Sequence, residues 1–291
     1  MVEPVKIAYI IQCHKNAKQV NGLLLQLLND NVDIYVHIDK KWSDGVLEIL
    51  KHPQVMIIPQ TESIDVQWGN ISQVQATLLL IESVFKAEKE YDYIWFISGQ
   101  DFPIKTSKEI DEFLSIDKTR AFINMSNIPY AEKRNEIYYP NWMLKRKFLS
   151  RGFKYIWVKV SGGKKHTYKL FQRKKPFEKF YYGSCWWCLP YDCVKELYEI
   201  IKNNPSYLEF FSHSLCSDES FFQTLFMQTS YKDKSNDYLV YVDWSELKSS
   251  PRILTEKDFD FLTNQREYFF ARKFDIDIDE EILKKLKEYL K

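Results

Sequence analysis

Two short runs hold residues whose types and spacing could do chemistry. "FARKFDIDID" (270–279) sets two cations, Arg272 and Lys273, just before three aspartates at alternate positions, Asp275, Asp277 and Asp279. Alternating carboxylates are the pattern of a divalent-metal site of the DxD kind. Neighbouring cations are the pattern of an anion site, where guanidinium and ammonium groups hold a phosphate directly. "CSDESFFQTL" (216–225) offers Asp218 and Glu219 ahead of an apolar stretch, where a carboxylate can act as general base. The competing role for Glu219 is to support helix capping and the macrodipole.

These residues need a scaffold, and the chain has the means to build one. It has 291 residues, 45% of them hydrophobic, with 20 Phe, 19 Tyr, 8 Trp and only 8 Gly, enough for a substantial, well-packed core. "VKIAYIIQC" (5–13), "VDIYVHID" (32–39), "QVMIIP" (54–59) and "YDYIWFIS" (91–98) read as strands, and 17–28, 46–51 and 71–91 carry helical periodicity. Strands alternating with helices predict a mostly parallel, Rossmann-like α/β sheet whose ligands sit at the strands' carboxyl ends. Those ends read His14-Lys15, Asp39-Lys40 and Ser98-Gly99-Gln100-Asp101. Further along, "GSCWWCLP" reads as a strand ending at Pro190, followed by a helix to about Asn203. "SDESFFQTLFMQT" reads as a helix with Ser217 as cap, "DYLVYVDW" as a late strand, and 280–290 as a terminal helix. One domain over 1–291 is expected.

Net charge is +1, so nothing global argues for nucleic acid. The charge is uneven, however. Residues 127–180 hold 15 Lys and Arg against 3 acidic residues, a balance of +12 opposite −11 for the rest of the chain. With its many aromatics this stretch reads as an insertion on the sheet. Five cysteines (Cys13, Cys185, Cys188, Cys193, Cys216) without framework spacing suggest buried, reduced thiols, and no signal-peptide pattern or membrane-spanning run is visible. A cytoplasmic protein is the expectation.

Eight stretches, taken in order, resemble one family: "AYIIQCHK", "IYVHIDKK", "QWGNISQVQATLLLIE", "FISGQDFPIKT", "YYGSCWWCLP", "CSDESFFQTL", "SSPRILT" and "FARKFDIDID". They are similar to core-2/I-branching β-1,6-N-acetylglucosaminyltransferases and the related peptide O-xylosyltransferases, glycosyltransferase family 14. The resemblance runs from about residue 6 to the C-terminus and is weakest across 127–180. It implies an inverting transferase with a GT-A-like fold, a UDP-sugar donor, and no cofactor or divalent metal. UDP-GlcNAc is the preferred donor and UDP-xylose the alternative.

By that resemblance, the family's base maps onto Glu219, although Ser217 stands where the family often has Pro. The diphosphate-binding Arg and Lys map onto Arg252 and Lys273, with Arg272 the rival for Lys273. Ile11 or its neighbours would contact uracil by backbone and Asp39 by side chain, unless Asp39 only pairs with Lys40 or Lys41. Trp68, Gly69, Asp101 and Ser184 would shape the donor pocket; Asp101 could equally cap its turn. Trp186, Trp187 and Trp244, with Glu132, Arg134 and Tyr138 from the insertion, would face the acceptor. The acceptor expected is a glycan or lipid-linked glycan in cell-surface polysaccharide synthesis. It would be met by peripheral contact with the inner face of the membrane through interfacial Lys, Arg, Trp and Tyr. The rival class is a non-catalytic module binding RNA or another polyanion through 127–180. Oligomeric state is not legible.

Overall fold

The computed structural model describes residues 4–126, 135, 137–144, 152–153, 156, 173–246 and 250–291. Most of the basic stretch, including Glu132 and Arg134, lies outside the described residues.

The main sheet has seven strands in the order β3-β2-β1-β4-β7-β6-β8. These are β1 (Ile7–Cys13), β2 (Val32–Ile38), β3 (Val55–Ile57), β4 (Tyr93–Ser98), β6 (Ala121–Ile123), β7 (Trp187–Pro190) and β8 (Ser235–Asn236). Strands β1 and β4 are near-continuous apolar runs, as a sheet covered on both faces requires. Strand β1 runs parallel to both β2 and β4, in register Cys13 with Ile38 and Gln12 with Ser98. Strand β3 extends the parallel half. Strand β7 is antiparallel to both β4 and β6. This is the mixed α/β, GT-A-like plan implied by the resemblance. The helix Ile71–Lys86 leads into β4. Asn70 caps it, accepting the Ser72 amide at 3.0 Å. It stops short of residue 91, the chain turning out through Glu88 at φ 53°.

A second sheet, unforeseen in the sequence, orders β5 (Asp101–Pro103), β10 (Phe270–Arg272) and β9 (Val240–Val242). Strand β10 is antiparallel to β5, pairing Arg272 with Asp101, and parallel to β9, pairing Arg272 with Val242. Strands of three residues carry too little alternation to be read from a pattern. The expected strand over "DYLVYVDW" shrinks accordingly to β9.

The turn holding Glu219 also differs from expectation. Residues Ser217–Glu219 form one turn of 3-10 helix, and the α-helix begins only at Phe221 (Phe221–Phe226). Cys216 has φ 53°, and its amide donates to the Gly69 carbonyl at 2.9 Å. That long-range tie holds the chain in a turn where local pattern favoured continuous helix. Ser217 therefore caps no α-helix, and its hydroxyl has no hydrogen-bond partner among the described residues. One contiguous apolar core joins both sheets, from Ile7 and Trp95 to Phe270 and Leu286. Among the described residues no helix is long and apolar enough to cross a membrane.

Candidate active site

Strands are added outward on one side of β1 as far as β3 and then on its other side from β4, and α/β folds place ligands outside the strands' carboxyl ends at such a switch point. The tail of the chain is delivered to this place. The Phe274 amide donates to the Gln100 carbonyl at 2.9 Å. The buried Gln19 amide donates to the carbonyls of Gly99 at 3.0 Å and Phe274 at 3.2 Å, while its oxygen accepts the Ile276 amide at 2.9 Å. Gly99 is needed here: a Cβ would stand 2.8 Å from the Cβ of Cys13.

Lys273 is thereby set beside the end of β1. Burial, then Arg272, then Lys15 lower its pKa from the ordinary lysine value, against Asp275 and Asp101, which raise it. No hydrogen bond or ion pair to its ammonium is made within the described residues. His14 lies in the same neighbourhood: burial first, then Lys273, lower its pKa, while Asp39 raises it. Asp39 is buried at the end of β2, where it accepts the Lys41 amide at 2.9 Å and pairs with the Lys41 ammonium at 3.1 Å. Asp39 thus pairs with Lys41, one of the two lysines expected beside it. Ile11 is fully buried inside the ladder between Val36 and Ile97, two places before the strand end. The residue that leaves the sheet toward the site is His14. His37 is also buried, accepting the Ile64 amide at 2.9 Å, and burial lowers its pKa to about 4.

Arg272 lies between an aromatic face and an acid. Its guanidinium carbon is 4.2 Å from the Trp186 ring centroid and its Nε 3.4 Å from Asp101 Oδ1. Asp101 closes its own turn by accepting the Ser98 amide at 2.7 Å and hydroxyl at 3.0 Å, and burial raises its pKa against the pull of Arg272. Asp101 therefore anchors Arg272. It is almost wholly buried, so it lines the site only from behind.

Arg252 stands in a different electrostatic setting from Lys273. Its Nε donates to Asp243 at 2.6 Å, and its Nη1 and Nη2 donate to the two oxygens of Asp258 at 3.0 and 2.7 Å. The hydrogen bonds to Asp258, then Asp243, raise its pKa. Two acids already answer this cation. Two residues on, Leu254 donates its amide to the Lys273 carbonyl at 2.9 Å, so the two basic residues lie on adjoining segments.

Glu219 is held by consecutive residues of "YYGS". The Gly183 amide donates to its carbonyl at 2.9 Å, and the Tyr182 hydroxyl donates to its Oε2 at 2.8 Å. Ser184 bridges the same region: its carbonyl accepts from Gln223 Nε2 at 2.5 Å and its amide donates to Asn124 Oδ1 at 3.4 Å. Gly69, at φ 66°, supports the Glu219 turn from below through Cys216, leaving Trp68 more than half exposed beside it. The segment from Tyr182 to Trp186 touches both groups: the Tyr182 hydroxyl bonds Glu219, and the Trp186 ring lies 4.2 Å from the guanidinium of Arg272. Between them, burial raises the pKa of Cys185, with the acids Asp218, Glu219 and Asp101 adding to the rise and Arg272 opposing it.

The three aspartates of "FDIDID" part company. Asp275 pairs with Lys15 at 2.6 Å, Asp277 accepts from the Asn16 amide group at 3.0 Å, and Asp279 accepts the Ile282 amide in the first turn of the terminal helix at 3.1 Å. Among the described residues, no three His, Cys, Asp or Glu side chains are grouped to hold a metal ion. All five cysteines are free thiols.

A family description, Core-2/I-Branching enzyme, matches residues 7–263. The chain belongs to this family. Similar curated proteins include a xylosyltransferase of Ciona intestinalis, 24% identical over 98% of this chain and 34% of its own length. Xylosyltransferase oxt of Drosophila melanogaster is 26% identical over 98% of the chain and 33% of its own length. Xylosyltransferase 2 of Homo sapiens is 24% identical over 99% and 34%. The chain spans about a third of the length of these relatives. Among solved structures, mouse xyloside xylosyltransferase 1 in its apo form aligns with 91% of this chain and 97% of its own, at TM-score 0.37 and 10% identity.

Within this core-2/I-branching framework, one residue expected to face the acceptor is turned into the core. Trp187 is core, packed between Phe96 and Phe222 and 1% exposed, because strand alternation turns it away from its neighbour Trp186. Trp186 has Arg272 over its ring. Tyr138 stacks on His213 at 4.4 Å, and Trp244 is half exposed. Sequence reasoning missed Tyr182, Gln19 and Arg173. The Arg173 guanidinium is buried over the Phe210 ring and donates to the carbonyls of Phe210 and Asn135 and to the Ser214 hydroxyl. Burial lowers its pKa to about 10. At least this cation of the basic stretch serves the interior, where composition had suggested a solvated or ligand-facing charge. The only signal for Tyr182 was its place beside Gly183 in a quoted motif.

Proposed function

We propose that this chain is an inverting glycosyltransferase, moving a sugar from a UDP-sugar to an acceptor hydroxyl without a divalent metal ion. The observation that carries the reading is that one short segment touches both sides of the site, Tyr182 bonding Glu219 at 2.8 Å and the Trp186 ring lying 4.2 Å from the guanidinium of Arg272, with Lys273 next in the chain. Inversion is one in-line displacement: the acceptor oxygen forms its bond to the anomeric carbon as the bond to the diphosphate breaks. It needs a base on one side and positive charge on the other. Glu219 takes the acceptor proton. Lys273, half-buried and with no direct partner for its charge among the described residues, meets the departing diphosphate. Arg252, drawn off by Asp243 and Asp258, contributes less.

Xylose is supported as donor sugar by the names of the curated relatives, whereas N-acetylglucosamine rests on the resemblance of the sequence motifs alone. The acceptor is proposed to be a glycan, free or lipid-linked, reached on the side of residues 127–180. A cytoplasmic enzyme working on the inner face of a membrane would suit cell-surface polysaccharide synthesis.

The test is a melting-temperature screen of UDP, UDP-xylose and UDP-GlcNAc in EDTA, followed by donor hydrolysis. One donor is expected to raise the melting temperature and to be hydrolysed, with hydrolysis cut to a small residual rate in Glu219→Gln while the thermal shift persists. Stabilisation by RNA or heparin alone, with no response to any UDP-sugar, would replace the reading with a polyanion-binding module.

A further inference from the structure

The base assigned above is gripped twice by one dipeptide. The Gly183 amide fixes the main chain of Glu219 by its carbonyl, but this leaves the three side-chain torsions of a glutamate free. The Tyr182 hydroxyl, 2.8 Å from Oε2, constrains them. The segment carrying Tyr182 is itself clamped. The Tyr182 carbonyl accepts the Ser126 amide at 2.6 Å, and the Tyr181 amide donates to the Thr224 hydroxyl at 3.1 Å. A Cβ on Gly183 would stand 1.9 Å from the Asn124 carbonyl oxygen, so the strand lies hard against its neighbour there. A tyrosine has only two side-chain torsions, and a phenol on a clamped backbone is a stiff strut.

We propose that Tyr182 is a positioning residue of the transfer reaction, fixing the carboxylate of Glu219 so that its other oxygen is presented to the acceptor hydroxyl. This rests on the reading of Glu219 as base. In the step, the acceptor O–H bond breaks as its oxygen bonds to the anomeric carbon, and the proton passes to the carboxylate oxygen that does not accept the phenol. The phenol keeps its own proton. The diphosphate leaves with the electron pair of the broken bond, and the carboxylic acid loses its proton to solvent afterwards. A misaimed base costs rate and leaves donor binding untouched, because the donor's charge is met elsewhere.

Tyr182→Phe keeps the ring and removes the strut. With the UDP-sugar that gives the largest thermal shift, and water as acceptor, kcat is expected to fall about tenfold to a hundredfold while KM for the donor and UDP affinity hold. In a Glu219→Gln background, Tyr182→Phe is expected to cause no further loss, because the two act as one unit. If the phenylalanine variant melts lower, rates are read well below its transition and the same comparison decides. Wild-type kcat in Tyr182→Phe would overturn the proposal, as would an equal fractional loss with and without the Glu219 carboxylate. Full activity in Glu219→Gln would remove the base itself, an outcome distinct from failure of the strut alone.

Discussion

The Phe274 amide donates to the Gln100 carbonyl at 2.9 Å, and this bond sets Lys273 at the mouth between β1 and β4. The cation reaches the site because a short strand, β10, docks against the turn after β4, with Gln19 cross-bridging both.

Lys273 and Arg252 are expected to separate in mutation. Lys273→Ala should abolish the rise in melting temperature with UDP and leave the apo protein as stable or slightly more so, since it removes a desolvated ammonium with no direct partner. Arg252→Ala leaves Asp243 and Asp258 facing each other without their cation. It should cost about 2–3 kcal/mol of stability, with a smaller loss of UDP affinity. Calorimetry with and without UDP checks both.

UDP binding should weaken at alkaline pH. The folded-state pKa of Lys273 lies below 10.5, from burial and from Arg272 and Lys15, with Asp275 and Asp101 opposing. The apo fold therefore disfavours the ammonium below that folded value, and the penalty is relieved as pH rises from it toward 10.5. A diphosphate favours the ammonium, so UDP affinity should hold below the folded pKa and decline as pH climbs through it. Titration of Kd against pH checks this, and Lys273→Arg should flatten the decline.

Gly183→Ala should be severe for its size. Its Cβ would meet the Asn124 carbonyl oxygen, which is backbone and cannot swing aside. A loss of about 1–3 kcal/mol is expected, together with loss of donor hydrolysis as the Glu219 turn moves. Gly152→Ala, with open space around the added carbon, is the control and should change neither.

The aspartates after Lys273 should be separable from any metal requirement. Asp277→Asn, at a side chain 69% exposed, should leave UDP binding in EDTA intact. Asp275→Asn, which releases Lys15, should change the affinity for UDP through the local charge alone. Restoration of lost binding by Mn²⁺ or Mg²⁺ in wild-type protein would contradict metal-free binding.

The long strands were legible in the sequence because β1, β2 and β4 are runs of β-branched and aromatic residues that only a doubly covered sheet explains. The small sheet was not, since β5, β9 and β10 have three residues each and exist through pairing with distant partners. Glu219 was legible as a residue type in its motif, whereas the 3-10 turn that holds it depends on Gly69, far away in the chain. Arg252 could be named as a cation, but the acids that claim it are fixed by tertiary folding, which no local spacing reveals.

The bond between Lys15 and Asp275 joins positions 260 places apart, and the Gln19 bridges to Phe274 and Ile276 span nearly as far. On the proposed reading, the donor site consequently forms only when the segment after residue 270 docks on the main sheet. A chain truncated before that segment would keep every strand of the main sheet and is expected to lose its response to UDP. Retention on UDP-agarose would then report docking of this late segment as well as ligand affinity.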